Sequence, residues 1–145
     1  MPGWREFVIR IFADTSIYFL AFRGVEDVAE RARAVLLRRS GLLLISDHLK
    51  LEVLPKAIFH KNAFESRFYQ SIFSRSLLIS SSEALQVQAM KLACLYGLAA
   101  GDACLIAAAC LGGADLFVTT EKVTKPMYSV RELEICHLMD MPKSP

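Results

Sequence analysis

The sequence lacks the short motifs that identify the commonest nucleotide and zinc sites. It contains neither a GxxxxGKS/T phosphate loop nor a GxGxxG turn. Its three histidines form no HExxH motif and its four cysteines form no CxxC pair, which argues against a zinc hydrolase and a structural zinc site. The cysteines are therefore expected to be buried, reduced thiols: Cys94, Cys104, Cys110 and Cys136.

The composition predicts one globular domain in which neither sign of charge dominates. Lys and Arg number 17 and Asp and Glu number 15, so the net charge of +2 neither argues for nucleic acid nor excludes it. Hydrophobic residues make up 54% of the chain, as in a folded protein. Without a linker, repeat or low-complexity segment, we expect one domain over residues 1–145, with its core at about 8–137 and a frayed tail from Asp140 to Pro145.

The N-terminal residues do not have the layout of a signal peptide. The apolar run from Leu92 to Leu111 is long enough to raise the question of a membrane helix. However, Asp102 lies at its centre, where a charge is costly in lipid, and Gly97 and Gly101 interrupt it. We therefore expect two core helices, a cytoplasmic protein and no membrane contact.

Strand and helix patterns alternate along the chain. The predicted strands are Phe7–Ala13, Leu42–Ile45, Leu77–Ile79, Leu116–Thr119 and a fifth at Leu133–Cys136. The predicted helices are Ile17–Phe22, Val25–Arg39, Asp47–Phe59 (with a break or kink at Pro55), Lys61–Arg75, Ala84–Leu98 and one that follows Gly101. This alternation predicts an α/β fold with three α/β/α layers and a central parallel sheet of four to five strands.

Four acidic residues fall where such a fold places its sites. Asp14 follows the first strand, Glu121 follows the fourth, and Glu52 lies in the helix after the second. Asp102 lies in an otherwise apolar helix, where a lone charge is costly unless something pairs with it. Ligands of open α/β sheets bind beyond the carboxyl ends of the strands, so these acids can meet there. Clustered carboxylates favour a hard divalent cation, Mg²⁺ or Mn²⁺.

Each acid also has a structural interpretation. Asp14 or Asp102 can cap a helix, Glu52 can lie on a solvated helix face, and Glu121 can be a turn residue. Other polar residues are interpreted as structural: Asp115, which precedes its strand, and the surface or packing histidines His48, His60 and His137.

The order and spacing of these motifs over residues 8 to about 137 resemble the PIN domain, and within it the VapC-like toxin ribonucleases. The segments that carry the resemblance are Ile11–Ser16 with its Asp-Thr-Ser, Leu44–Leu54 with Glu52, Gly101–Ala109 with Asp102, and Ala114–Glu121 with its Thr-x-acid. The family usually has Asp where Glu121 stands, which alters the expected geometry at that position.

The resemblance implies a metal-dependent endoribonuclease that hydrolyses RNA, as the toxin of a toxin–antitoxin pair. It implies four catalytic, metal-binding carboxylates, Asp14, Glu52, Asp102 and Glu121, with Mg²⁺ or Mn²⁺ as the cofactor. Two hydroxyls, Ser16 and Thr119, would orient the acids and their waters. Four lysines are candidates for phosphate contacts because they lie near the acids in sequence: Lys50, Lys56, Lys122 and Lys125.

The resemblance also implies a cognate antitoxin, which would insert a segment into an apolar groove. The helices Ile17–Phe22 and Phe64–Phe73 are the candidates for that groove, and their aromatic stripe (Phe64, Phe68, Tyr69) is otherwise a core face. Homodimers are common in the family.

Three alternatives use the same residues differently. Because of Glu121, a PIN-like module that binds RNA or protein without cutting stays open. A phospho-acceptor receiver domain would need paired acids after the first strand, where Asp14 stands without an acidic neighbour. A haloacid-dehalogenase-type phosphatase would need Asp-x-Asp, where this chain has Asp14-Thr15-Ser16.

Overall fold

The computed structural model describes residues 8–38 and 41–141. Within these residues, five parallel strands form one sheet in the order β3-β2-β1-β4-β5. The strands are β1 Arg10–Ala13, β2 Leu42–Ser46, β3 Leu77–Ile79, β4 Leu116–Thr119 and β5 Glu134–His137. The helices are α1 Thr15–Arg23, α2 Glu26–Leu36, α3 Asp47–Phe59, α4 Ala63–Ser74, α5 Glu83–Tyr96 and α6 Ala100–Leu111. Short 3-10 helices cover Pro126–Ser129 and Leu138–Asp140.

The central strands are buried on both faces. Successive side chains of a strand point to opposite faces, yet Ile11, Phe12 and Ala13 of β1 are all at most 1% exposed. Phe117 and Val118 of β4 are equally buried, and the Phe117 ring stacks on Phe12 with centroids 5.7 Å apart. Helices therefore cover both faces, which confirms the predicted three-layer α/β/α fold with a central parallel sheet.

Polar side chains fix where several helices begin. The N-cap side chains of Asp14, Ser46, Asn62 and Ser82 each accept a hydrogen bond from a backbone N–H in the first turn of α1, α3, α4 and α5. At the other end of α5, Gly97 adopts a left-handed conformation with φ of 71°, which glycine tolerates without strain. These signals explain why the predicted and observed helices nearly coincide.

The ends of several predicted elements were wrong. Strand β1 begins at Arg10, where its paired register with β2 begins; Val8 and Ile9 are exposed, although the Ile9 carbonyl accepts from the Leu42 backbone N–H at 2.9 Å. The predicted start, Phe7, lies outside the described residues. Helix α2 ends at Leu36, and Arg39, its predicted end, also lies outside them. Pro55 does not end α3, which continues to Phe59.

The prediction of a frayed tail from Asp140 is wrong for Asp140 and Met141. Leu138–Asp140 forms a 3-10 helix, Met141 is 7% exposed, and the Arg31 guanidinium donates to its carbonyl at 2.8 Å. Residues 142–145 of the predicted tail lie outside the described residues.

The four cysteines are free, as predicted, but they are not fully buried. Cys94 is exposed and the other three are half-buried. Alanine side chains of α6 are buried instead: Ala107, Ala108 and Ala109 are 0% exposed.

Helices α1 and α4 pack directly through aromatic rings. Phe22 contacts Phe68 with centroids 5.6 Å apart, and Tyr18 contacts Phe73 at 5.7 Å. These rings fill the space between the two helices where they meet. Phe64, predicted to belong to the core stripe, is instead 78% exposed.

A buried carboxylate lies at the α1–α4 contact. Glu65 is 2% exposed, and its side chain accepts hydrogen bonds from Tyr69 Oη at 2.5 Å and from Asn62 Nδ2 at 3.1 Å. Arg23 completes the set with an ion pair at 2.7 Å. A buried charge is tolerated only when it is paired and hydrogen-bonded, so this cluster fixes α1 against α4.

Among the described residues, no single helix is long and apolar enough to cross a membrane. Helices α5 and α6 pass that test only when taken together, and the chain bends by 119° between them.

We predict that Tyr69→Phe lowers the free energy of unfolding by about 1–3 kcal/mol, because it leaves the buried Glu65 short of a donor. Urea denaturation measures this. Tyr96→Phe is the matched control, since Tyr96 Oη donates to Glu132 Oε1 at the same 2.5 Å but on the exposed surface. Equal losses in the two variants would contradict the account.

Candidate metal centre

The carboxyl ends of β1 and β4 open into a cleft of about 290 Å³. All four acids predicted to form the site line this cleft, together with Thr15, Ser16, Phe19 and Leu105: Asp14, Glu52, Asp102 and Glu121. They come from four segments that are distant in sequence: the β1–α1 junction, α3, α6 and the turn after β4. The parallel sheet brings them together because β1 and β4 are neighbours in it.

Asp14 is the most buried of the four acids, with 7% of its surface exposed. Its Oδ1 accepts from the Thr15 backbone N–H and its Oδ2 from the Thr119 hydroxyl, both at 2.8 Å. Burial raises the pKa of Asp14 to about 6; these two hydrogen bonds oppose the rise, and the charges of Asp102 and Glu121 add to it. The helix-cap interpretation is therefore correct and compatible with a site, because Asp14 caps α1 and lines the cleft.

Thr119 links two of the acids. Its side chain is fully buried, and while its hydroxyl donates to Asp14 it accepts from the backbone N–H of Glu121 at 3.1 Å. Tyr128 Oη donates to the Glu121 carbonyl at 2.8 Å. The turn after β4 is therefore held from both sides, which directs residue 121 toward the cleft.

Glu52 lies at the open side of the cleft, with 37% of its side chain exposed. Its Oε1 accepts from the Thr15 hydroxyl at 2.8 Å, and its Oε2 lies 3.6 Å from His48 Nε2, one helical turn earlier. Gly101 of α6 faces the same two side chains: a Cβ there would lie 3.5 Å from Glu52 Oε2. Helices α3 and α6 thus approach closely beside Glu52.

Asp102 lies in the first turn of α6, two residues after the helix begins. It is not the N-cap, which is Ala99, so that interpretation was wrong. Burial raises the pKa of Asp102, Glu121 and Glu52 raise it further, and Lys125 opposes the rise. The first turn of a helix favours a negative charge, which offsets part of this cost.

The structure also clarifies the supporting residues. Ser16 lines the cleft, but its hydroxyl accepts from Thr120 and contacts no acid in the described chain. Thr15, which sequence reasoning passed over, is the hydroxyl that bonds Glu52; it stands inside the Asp-Thr-Ser that drew attention to Asp14. His48 was assigned to the surface or to packing, although its spacing of four residues from Glu52 indicated a shared helix face.

One lysine provides positive charge at the cleft. Lys125 Nζ lies 3.8 Å from Glu121 Oε2, so one of the four candidate lysines gives the acids a cationic neighbour. Among the described residues, the other three candidate lysines form no ion pair with a cleft acid: Lys50, Lys56 and Lys122. Asp115 lies at the opposite end of β4 and accepts from the Arg10 backbone N–H at 2.8 Å, as its structural interpretation predicted.

The chemistry of the cleft fits a hard divalent cation. Four carboxylates face one lysine, and burial, together with the repulsion between these acids, raises the pKa of Asp14 and of Asp102. In the described part of the chain, no three acidic, histidine or cysteine side chains already converge as a ligand set. Mg²⁺ characteristically keeps several waters and takes one or two carboxylates directly, so a fully converged set is not required.

The raised pKa of Asp14 predicts a pH dependence of stability in EDTA. Because the pKa of Asp14 is higher in the folded protein than in the unfolded chain, the protonated carboxyl stabilises the fold. This contribution to the free energy of unfolding is complete below about pH 4 and is lost as the pH rises through about 6. At pH 7.5, where Asp14 is ionised, its burial lowers the free energy of unfolding by about 3 kcal/mol. We expect Asp14→Asn to raise the free energy of unfolding at pH 7.5, and this gain to disappear near pH 4.

Urea denaturation at both pH values checks this prediction. Asp115→Asn is the control for loss of one negative charge, since Asp115 is exposed and outside the cleft. A gain from Asp14→Asn that did not change between pH 7.5 and pH 4 would contradict it.

Comparisons with known proteins agree with this geometry. A family model described as the PIN domain matches residues 11–127. No curated protein gives a significant match. Among solved structures, a toxin–antitoxin complex from Klebsiella pneumoniae contains a chain with a TM-score of 0.66 and 21% identity, covering 85% of this chain and 94% of that one.

Two further structures share the fold at lower identity. VapBC2 from Rickettsia felis, bound to a DNA fragment from its promoter, gives a TM-score of 0.65 and 15% identity, covering 89% of this chain and 98% of that one. VapC20 of Mycobacterium tuberculosis, a toxin that cleaves the sarcin-ricin loop, gives a TM-score of 0.57 and 17% identity, covering 74% of this chain and 86% of that one. The fold, the motifs and a family match that spans most of the sequence lead to one conclusion: this chain belongs to the PIN domain family.

Proposed function

We propose that this protein is a metal-dependent endoribonuclease that hydrolyses RNA phosphodiester bonds. The observation that carries the proposal is the convergence of Asp14, Glu52, Asp102 and Glu121 on one cleft at the carboxyl edge of the sheet. Membership of the PIN domain family supports it, and so does the fold shared with a toxin that cleaves the sarcin-ricin loop.

In this proposal the four carboxylates hold Mg²⁺ or Mn²⁺. The ion, when bound, supplies Lewis-acid stabilisation of the charge that develops on the phosphodiester. Thr119 holds Asp14 by its hydroxyl, and Thr15 holds Glu52, so two of the acids are oriented before substrate arrives. Ser16 lines the cleft, and its hydrogen bond with Thr120 links the start of α1 to the turn after β4.

Two basic side chains would act on the substrate. Lys125 is half exposed beside Glu121, and its ammonium group is placed to contact an RNA phosphate entering the cleft. His48 stands at the other side beside Glu52, half exposed, and can donate a hydrogen bond to the RNA backbone. Together they would offset the repulsion between the acidic cleft and a polyanion.

We also propose a protein partner of the antitoxin type. The structural neighbours include toxin–antitoxin and VapBC complexes, which supports this class of partner. The outer surface of α3 and α4 exposes large apolar side chains that a partner could cover: Leu51, Ile58, Phe59 and Phe64. This surface is a candidate contact in addition to the groove predicted between α1 and α4.

A second candidate function is an RNA-binding or protein-binding module without catalysis. Glu121 favours it, because its extra methylene moves a carboxylate away from where the family's usual Asp would hold it. The absence of a converged ligand set among the described residues favours it as well. Metal binding and cleavage separate the two functions.

We predict that the purified protein cleaves end-labelled RNA with Mn²⁺ or Mg²⁺ but not with EDTA. Asp14→Asn should lower the rate at least about 100-fold, since it removes a charge that balances the ion. Asp115→Asn, the same change outside the cleft, should keep wild-type activity. Cleavage that persists in EDTA, or that Asp14→Asn leaves intact, would refute a metal-dependent mechanism at this cleft.

We further predict that Mn²⁺ stabilises the folded protein. An ion at about 100 times its Kd adds about 2.7 kcal/mol, because it binds the folded state alone. Thermal unfolding with and without Mn²⁺ measures this as a rise in Tm, and Asp102→Asn should abolish the rise. Stabilisation by Mn²⁺ without cleavage would favour the non-catalytic module. The absence of both stabilisation and cleavage would indicate a site that binds no metal.

A further inference from the structure

A second, smaller pocket lies beside the carboxylate cleft. Its volume is about 150 Å³, and it is formed where the first turns of α3 and α5 meet α6. Its walls include Leu51, Leu85 and Cys104, and its polar groups include Asp47, His48 and Gln86. Of these lining residues, the mechanism proposed above uses His48 alone, at the edge of the pocket that is nearest the cleft.

The pocket and the cleft share a boundary. His48 lines the pocket, and its Nε2 lies 3.6 Å from Glu52 Oε2 in the cleft. Leu51 directly precedes Glu52 on α3, and Cys104 follows Asp102 by two residues on α6. A nucleotide next to one whose phosphate lies among the carboxylates would therefore reach the pocket.

The lining of the pocket suits a neutral aromatic group better than a phosphate. None of its described lining residues is a lysine or an arginine, and Asp47 would repel an anion. Leu51 and Leu85 provide apolar surface against which a flat ring can pack. An apolar cavity of this volume is known to hold a single benzene ring, so this pocket has room for one ring of a base, with the rest of the base at its mouth beside the exposed Gln86.

Two polar side chains at the pocket differ in their hydrogen bonding. Asp47 Oδ2 is already occupied by the Ser81 backbone N–H at 2.7 Å, which fixes the carboxylate at the rim. The Gln86 side chain is exposed and its amide has no hydrogen-bond partner in the described chain. A free amide offers one donor group and one acceptor, the combination that pairs with the N7 and N6 of adenine.

We propose that this pocket binds one unpaired adenine of the RNA, next to the phosphate that is cleaved. Gln86 reads the adenine edge, the second oxygen of Asp47 accepts from the exocyclic amine, and Leu51 and Leu85 pack against the ring. Uracil has a carbonyl where adenine has the amine, and that carbonyl would face a carboxylate. The inference rests on the proposed function, because it places RNA in the neighbouring cleft.

Binding is tested first, without any need for cleavage. The protein carries Asp14→Asn and EDTA is present, and the probes are a fluorescent oligo-uridine of seven nucleotides and the same oligonucleotide with one central adenosine. By anisotropy, the adenosine probe should bind about tenfold more tightly. Adding Gln86→Leu should remove this difference, whereas Gln88→Leu, the same change on the same helix but outside the pocket, should keep it.

Cleavage is tested second, with otherwise wild-type protein and Mn²⁺. RNA of mixed sequence is cut and the new ends are sequenced, and adenine should be enriched at one position adjoining the cut. Gln86→Leu should lose this enrichment, whereas Gln88→Leu should keep it. Equal binding of the two probes by the parent protein, or an adenine preference that survives Gln86→Leu, would overturn the inference.

The two tests also separate this inference from the proposed function. If wild-type protein does not cut RNA but the adenosine probe binds more tightly through Gln86, the nuclease proposal fails and the pocket stands. If metal-dependent cutting occurs without adenine preference, the pocket fails and the nuclease proposal stands.

Discussion

The carboxylate of Asp14 is buried at the point where the two central strands end, and the surrounding residues are arranged to keep it there. Its oxygens are held by the Thr15 backbone and the Thr119 hydroxyl, so β1, α1 and β4 meet at one side chain. Those hydrogen bonds do not offset the full cost of burial, because the pKa of Asp14 remains raised. The protein therefore keeps an energetically unfavourable charge where β1, α1 and β4 meet, as is typical of functional sites.

The molecule places acidic side chains in two different environments, the α1–α4 contact and the cleft. Glu65 is even more buried than Asp14, yet Arg23, Tyr69 and Asn62 satisfy it completely, so that carboxylate stabilises the contact between α1 and α4. The cleft acids share one lysine among four carboxylates. The difference between a paired and an unpaired buried acid is what separates the structural cluster from the candidate site, and a divalent cation would supply the missing positive charge.

Much of the fold could be predicted because the strands are short apolar runs bounded by polar or glycine residues. Leu77–Ile79 and Leu116–Thr119 were predicted to the residue, and the four acids were predicted to share one edge of the sheet. Side-chain packing between helices could not be predicted, so the expected burial of Phe64 was wrong. Likewise, nearness in sequence offered four candidate lysines without showing which of them lies beside a cleft acid, and it did not place His48 at the pocket beside the cleft. These contacts depend on the path of the backbone in three dimensions.

The central claim is that the four carboxylates form one divalent-cation site. Crystals of the wild-type protein grown with MnCl₂ test it most directly, through the anomalous scattering of manganese. The account predicts an anomalous peak in the cleft, within ligating distance of Asp14 and at least one of Glu52, Asp102 and Glu121. Manganese bound elsewhere, with the cleft occupied by water alone, would contradict it.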